Sequence, residues 1–257
     1  MSLHARIDRA LAEHPPGGTV WVALSGGCDS VCLLHLASLA RQRHAFTLRA
    51  LHVHHGLQAA ADAFSAHCQA LCAALDVPLT LERVTLDATQ AGNLEARARE
   101  ARYGVFLRHV ARDHMLWLAH HRNDQAETLL LRLMRGAGVT GLGAMPAMRA
   151  LGEARLLRPL LEVGRDELRA YARQHGLAWV EDPTNSDERF DRNYLRRRVL
   201  PALSARWPAA EMQLAASARQ AREAAALLDE LAALDLERLG NDPARLPCAA
   251  LQPLSRH

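Results

Sequence analysis

The sequence predicts an α/β fold: a parallel-stranded sheet with helices on both faces, followed by a helical extension. Three observations predict it. Short apolar, β-branched runs alternate with longer amphipathic stretches, the pattern of strands joined by crossover helices. Polar clusters fall directly after those runs, where open parallel sheets bind their ligands. An alanine- and glutamate-rich stretch then runs from about Pro208 to Leu239.

Taken in order, the first strand is expected at Val20–Leu24, with later strands at Leu48–Val53, Leu79–Val84 and Met115–Ala119. Between them, leucine, alanine and arginine recur at about the helical period over Ser30–Arg41, Ala59–Leu75, Asn93–Arg112 and Asn123–Arg135. Arg135–Gly143 holds four glycines and reads as a mobile loop. Leu156–Glu162 reads as a strand, Asp166–His175 as a helix and Glu181–Asp187 as a cluster of turn residues. The expected organisation is a catalytic domain over residues 1–205, with 206–257 a helical linker or the start of a truncated C-terminal domain.

At 257 residues the chain can bury one sizeable α/β core plus a small helical piece. No stretch is apolar for long enough to cross a bilayer, and MSLHARIDRALAEH carries charges where a signal peptide needs an apolar centre. A cytoplasmic protein is expected. Its five cysteines include no CxxC and are expected to be reduced thiols. The net charge of +3 permits a nucleic-acid partner, while 4% aromatic content argues against a surface that works mainly by stacking bases on rings.

Ser25-Gly26-Gly27-Cys28-Asp29-Ser30 lies between the first strand and the helix after it. Such a junction aims several backbone N–H groups at one point, where the helix dipole favours negative charge. Gly26 and Gly27 let phosphate oxygens approach, Ser25 and Ser30 offer hydroxyls, and Asp29 can hold a metal ion or a cation. An ordinary strand-to-helix turn is the other reading. The chain contains no lysine at all; a Walker-type site and Schiff-base chemistry on an enzyme lysine are therefore both excluded.

The SGGxDS pattern is similar to the loop of the N-type ATP pyrophosphatases, the PP-loop group with its Rossmann-like sheet. SGGCDS, HVHHGL, GNLEARAREARY, LAHHRNDQAETLLLRLMRGAGVTGL, RPLL and EDPTNSDERFDRNYLRRRVLP together resemble the tRNA(Ile)-lysidine synthetase family from Ser25 to Pro201. The resemblance implies an ATP-dependent ligase that joins free L-lysine to C2 of the wobble cytidine of tRNA(Ile) with a CAU anticodon. The base is first adenylated with loss of pyrophosphate, and lysine then displaces AMP. ATP is implied as substrate and Mg2+ as its ion. Another PP-loop tRNA enzyme of the 2-thiocytidine type is disfavoured by the missing CxxC; a non-catalytic tRNA-binding module is the alternative of a different class.

For individual residues, the resemblance implies an ATP site of Ser25, Gly26, Gly27, Cys28, Asp29, Ser30 and His52, with Asp29 on Mg2+. His120, Asp124 and Glu127 are implied in the lysine site, with Arg192 and Arg196 beside it. The i,i+3 spacing of Asp124 and Glu127 puts both carboxylates on one helix face, where they can converge on one ammonium; helix capping explains the same pair without chemistry. A zinc site built on His120, His121, Asp124 and Glu127 lacks the HExxH order. Asn93, Glu95, Arg99, Arg102 and Tyr103 are implied at the target nucleotide, with a solvated arginine face as the other reading. One departure from the family is Asn123, where the resemblance implies an aspartate. The missing charge is expected to weaken magnesium or lysine binding if that position contributes directly.

Overall fold

The computed structural model describes residues 1–13, 17–54, 56, 61–85 and 94–246, without the side chains of 61, 94 and 95. Strands β1 (Thr19–Ala23), β2 (Thr47–His54), β3 (Leu79–Arg83), β4 (Met115–Trp117), β5 (Met148–Leu151) and β6 (Ala154–Leu157) form one sheet in the order β3-β2-β1-β4-β6-β5. All neighbours are parallel except β5 and β6, which form an antiparallel hairpin at one edge. The strand order reverses at β1, between β2 and β4, and ligands collect at such a switch point.

Helices α1 (Leu3–Ala12), α2 (Cys28–Ala40), α3 (Ala61–Ala74), α4 (Leu94–His109), α5 (Arg122–Met134), α6 (Val139–Leu142) and α7 (Arg165–Gln174) follow in chain order. Helices α1, α2, α3 and α7 cover one face: Ile7, Leu33, Leu34, Cys72 and Leu168 pack on Val20, Val22, Ala50 and Trp117. Helix α4 covers the other, where Val105, Phe106 and Val110 meet Trp21, Leu51, Leu116 and Leu156. The β1 alternation produces this division, since Val20 and Val22 point to one layer and Trp21 to the other. α2 is apolar nearly all round and accordingly nearly wholly buried.

Beyond α7 come a 3-10 turn at Pro183–Ser186, the short α8 (Asp191–Tyr194), a π-helical turn at Leu195–Val199, α9 (Leu200–Arg206) and the long α10 (Ala210–Arg238). The first half of α10 lies along α5 and α6, with Ala218 and Leu214 packed on Leu129, Leu142 and Ala144.

Two expectations are corrected here. The glycine-rich stretch read as a mobile loop contains α6, and its carbonyls are held by arginines from flanking helices. Arg132 donates to Gly141 O and Ala144 O, and Arg222 to Gly143 O at 2.9 Å and to Met145 O. A Cβ on Gly143 would stand 3.0 Å from the Arg222 Cβ, so that glycine serves a close helix approach. The strand read at Leu156–Glu162 is Ala154–Leu157, paired with the unpredicted β5. Four-residue edge strands carry too few alternations to show a period.

Candidate active site

A cavity of about 960 Å3 opens at the carboxyl ends of β1, β2 and β4. Its floor is the loop after β1. Gly26 sits at φ +87°, a left-handed conformation, and a Cβ there would lie 3.2 Å from Cys68 Sγ and from Phe64 Cδ1, so this position takes glycine. The Gly26 carbonyl accepts from Val180 N–H at 3.0 Å, which fastens the loop to the segment after α7. Ser30 Oγ accepts from Ser25 N–H, lies 3.0 Å from Ser25 Oγ and donates to Gly27 O at 2.9 Å. Gly27 caps α2 without any side-chain bond, so the first-turn N–H groups of α2 are left for an anion.

His52 is buried at the end of β2, with Nδ1 2.8 Å from Leu24 O; burial lowers its pKa despite that hydrogen bond. It fixes the loop entrance from below and also lines the cavity beside Ala23, Leu51 and Val53.

Helix α5 brings its first turn to the loop. The His121 backbone N–H donates to Asp124 Oδ2 at 2.9 Å, the expected capping contact. His121 Nε2 stands 3.5 Å from Asp29 Oδ2 and 3.6 Å from Asp124 Oδ2, with the side chain almost wholly buried. Burial opposes its charge, but the hydrogen bond with Asp29 and the carboxylates of Asp124, Asp29 and Glu127 outweigh that, so its pKa is raised. The resemblance does not single out His121. The adjacent His-His was visible, but only the fold shows which of the two bridges the loop and the helix.

His120 behaves oppositely. Burial, opposed by Asp124 and reinforced by Arg158, Arg192 and Arg99, takes its pKa down to about 4. Arg158 Nε donates to His120 Nδ1 at 3.2 Å, so the neutral imidazole carries its proton on Nε2 and acts as a donor. Asp124 faces the cavity, and its pKa is lowered because His121, His120, Arg192 and the His121 N–H outweigh the effect of burial.

Glu127, placed by the sequence beside Asp124 at one ammonium, lies behind the wall. It is fully buried, and Arg196 grips it with Nε to Oε1 at 2.7 Å and Nη2 to Oε2 at 3.0 Å, with Arg192 Nε 3.2 Å from Oε2. Burial pushes this carboxyl upward while the Arg196 fork pulls it back. Both oxygens are occupied. The carboxylate therefore positions Arg196, which lines the cavity, whereas Arg192 stays outside it, bound to Thr128 Oγ1 at 2.9 Å.

Across the cavity, Arg99, Arg102 and Tyr103 line the wall on α4. The guanidinium groups of Arg99 and Arg149 stand 4.9 Å from the Tyr103 ring centre. Burial would raise the tyrosine pKa, but Arg149, Arg99 and Arg158 lower it. Arg149, on the unpredicted β5, backs the Tyr103 ring without lining the cavity. Asn93 and the side chain of Glu95 lie outside the described residues. Asn123 does not line the cavity: its Oδ1 accepts from Arg165 N–H at 2.9 Å and its Nδ2 donates to Glu211. The expected weakening depends on a direct contribution from position 123, and in this structure its side chain instead ties the start of α7 to α10.

Among the described residues no group of three or more His, Cys, Asp or Glu side chains is placed to hold a metal ion. Asp29 Oδ1 is nonetheless buried without a partner. One carboxylate with substrate phosphates and water is a usual magnesium donor set, so the residues present fit that ion.

A family model described as a PP-loop domain matches residues 2–203. The chain belongs to the PP-loop family. Among its PP-loop relatives, it is 52% identical over 263 residues to the tRNA(Ile)-lysidine synthase of Pseudomonas aeruginosa, covering 99% of this chain and 59% of that protein. It is 55% identical to the same-named protein of Pseudomonas fluorescens, over 86% of this chain and 50% of that one, and 49% identical to that of Coxiella burnetii, over 86% and 49%. The chain thus spans about half the length of these curated relatives. A solved PP-loop structure, the U34-tRNA thiolase NcsA from Methanococcus maripaludis with its [4Fe-4S] cluster, superposes with a TM-score of 0.70 at 16% identity, covering 86% of this chain and 78% of that chain. That likeness shows the shared fold. No helix among the described residues is long and apolar enough to cross a membrane.

Proposed function

We propose that this chain carries the catalytic unit of a tRNA(Ile)-lysidine synthase, which uses ATP to join free lysine to C2 of the wobble cytidine of a CAU-anticodon isoleucine tRNA. The observation that carries the reading is that Asp29 and Asp124 meet across His121 in one cavity with the phosphate loop and the α4 arginines. The identities near 50% to proteins of that name support it.

In the first step the cytidine O2 attacks the α-phosphorus of ATP, and pyrophosphate leaves toward the N–H groups and hydroxyls of Ser25–Ser30. Magnesium, held by Asp29, would neutralise charge on the departing phosphates. The Nε2–H of His120 is available to hydrogen-bond an oxygen of the adenylated base. In the second step Asp124 attracts the lysine ammonium; once its proton has passed to water the amine forms the C2–N bond, the C2–O bond breaks, and AMP leaves carrying the C2 oxygen. Arg196, aligned by Glu127, is placed to hold the α-phosphate. We assign catalysis to residues 1–205 and treat 206–257 as leading into a further unit.

The test is incubation with ATP, magnesium, radiolabelled lysine and a CAU-anticodon isoleucine tRNA. Lysine is expected in the tRNA in an ATP-dependent manner. No incorporation, by this chain or by one extended to the length of its relatives, would overturn the reading.

A further inference from the structure

The cavity holds a pair of cations that neither the sequence motifs nor the mechanism above uses. Arg165 and Arg169 lie one turn apart on α7 and line the cavity with Cys28 and Asp29. Leu168 between them is buried against α2, where its carbonyl accepts from Cys32 Sγ at 3.4 Å. Cys32 is one turn past Cys28, so this contact sets both guanidinium stems alongside the first turn of α2, the turn whose N–H groups are uncapped.

The other cavity-lining arginines have partners. Arg196 is forked onto Glu127, Arg197 pairs with Glu188 at 3.1 Å, and Arg99 rests on Tyr103, while Arg102 also has a partner. Among the described residues the guanidinium groups of Arg165 and Arg169 make neither a hydrogen bond nor an ion pair within 4 Å. Both are half-buried, and burial together with Arg196 and Arg169 already lowers the Arg165 pKa. Two cations without a bonded partner, with the Asp29 carboxylate as nearby counter-charge and Arg196 already paired, leave this partly desolvated recess suited to an anion.

The chemistry of that anion follows from position. α7 and α2 share one face of the sheet, whereas α4, with Arg99 and Arg102, covers the other. The α7 pair therefore stands at the phosphate-loop end and away from the wall implied in base recognition. The chain has no lysine, so a cationic side chain at the terminal phosphates of a nucleotide must be an arginine or a protonated histidine.

We propose that Arg165 and Arg169 form a clamp for the β- and γ-phosphates of ATP, and for the pyrophosphate that those phosphates become on cleavage. The clamp rests on the reading that the loop takes ATP. It neutralises the leaving group as charge develops on it and contributes nothing to adenosine or lysine binding.

Calorimetric titration of ATP, AMP and inorganic pyrophosphate tests this without tRNA or lysine. Arg165→Gln and Arg169→Gln are each expected to weaken ATP and pyrophosphate by roughly tenfold while AMP affinity stays within about twofold. Arg165→Lys and Arg169→Lys are expected to recover part of the loss, since charge is kept and the fork is not. Equal weakening of AMP and ATP, unchanged pyrophosphate affinity in both glutamine variants, or a wild-type chain that does not bind pyrophosphate would each overturn the clamp. A chain that binds pyrophosphate through these residues but transfers no lysine would overturn the lysidine reading alone.

Discussion

The first and second turns of α5 carry the same chemistry to opposite ends. Asp124, in the first turn, opens into the cavity with charges arranged around it; Glu127, one turn on, has no exposed surface and has both oxygens filled by arginine. The difference comes from what packs outside each turn. The first turn meets the phosphate loop, which leaves room for a ligand. The second meets the π-helical turn at Leu195–Val199, from which Arg196 reaches the carboxylate. Such turns recur at functional sites, and this one converts a candidate ligand into a support for its neighbour.

Breaking the buried pair gives the largest expected effect. Glu127→Ala removes the buried partner of Arg196 and Arg192 and leaves Arg196 with Asp124 Oδ1 at 3.6 Å; it is expected to cost about 3 kcal/mol of stability, measured as a lowered denaturation midpoint. A loss below about 1 kcal/mol would mean that the pair is solvated and that Glu127 is free for a ligand after all.

Next in size is Asp124→Asn, expected to lower lysine transfer by about 10²-fold while ATP affinity stays within a few-fold, because a charged contact to the ammonium is lost and the loop is not. Parallel losses of ATP affinity and of transfer would place Asp124 with the phosphates instead.

The pH dependence separates the paired histidines in front of that turn. Burial holds His120 at about 4, below the ordinary 6.5. On acidification the unfolded chain takes this proton first, so the His120 contribution to stability is complete above 6.5 and is lost as pH falls toward 4. Its size is at most about 3 kcal/mol. The raised pKa of His121 has the opposite sign: its stabilisation is complete below the ordinary histidine value and is lost as pH rises through the raised one. His120→Gln is expected to flatten the acid limb of a stability–pH curve, and His121→Gln the alkaline limb. Urea melts from pH 4.5 to 9 check both, and limbs unchanged in the two variants count against the assigned protonation states.

The smallest effect is at Asn123. Asn123→Asp sets a second carboxylate against Glu211, and about 1 kcal/mol is expected to be lost, or roughly 2–4 °C in melting temperature. Glu211→Gln in the same chain is expected to restore it. A melting temperature unchanged by Asn123→Asp would show that α10 is not held at this point.

The sequence by itself determined the alternation of strands and helices, the phosphate loop and the line of polar segments at one sheet edge. Each of these is written in neighbouring residues: a period of two or 3.6, a glycine pair after an apolar run, a histidine pair before a helix. Ser25 and Asp29 stand out on that basis, His52, Asp124 and Arg99 through the family resemblance, and all five line one cavity. What only the tertiary structure decided is which partner each charge has. Glu127 and Arg196 are 69 positions apart, Asn123 and Glu211 are 88, and Cys32 reaches Leu168 across 136. No local pattern encodes such pairings, because a carboxylate on a helix face looks the same in sequence whether water, a substrate or an arginine lies opposite. The physical difference is desolvation, and desolvation exists only once the second element has packed.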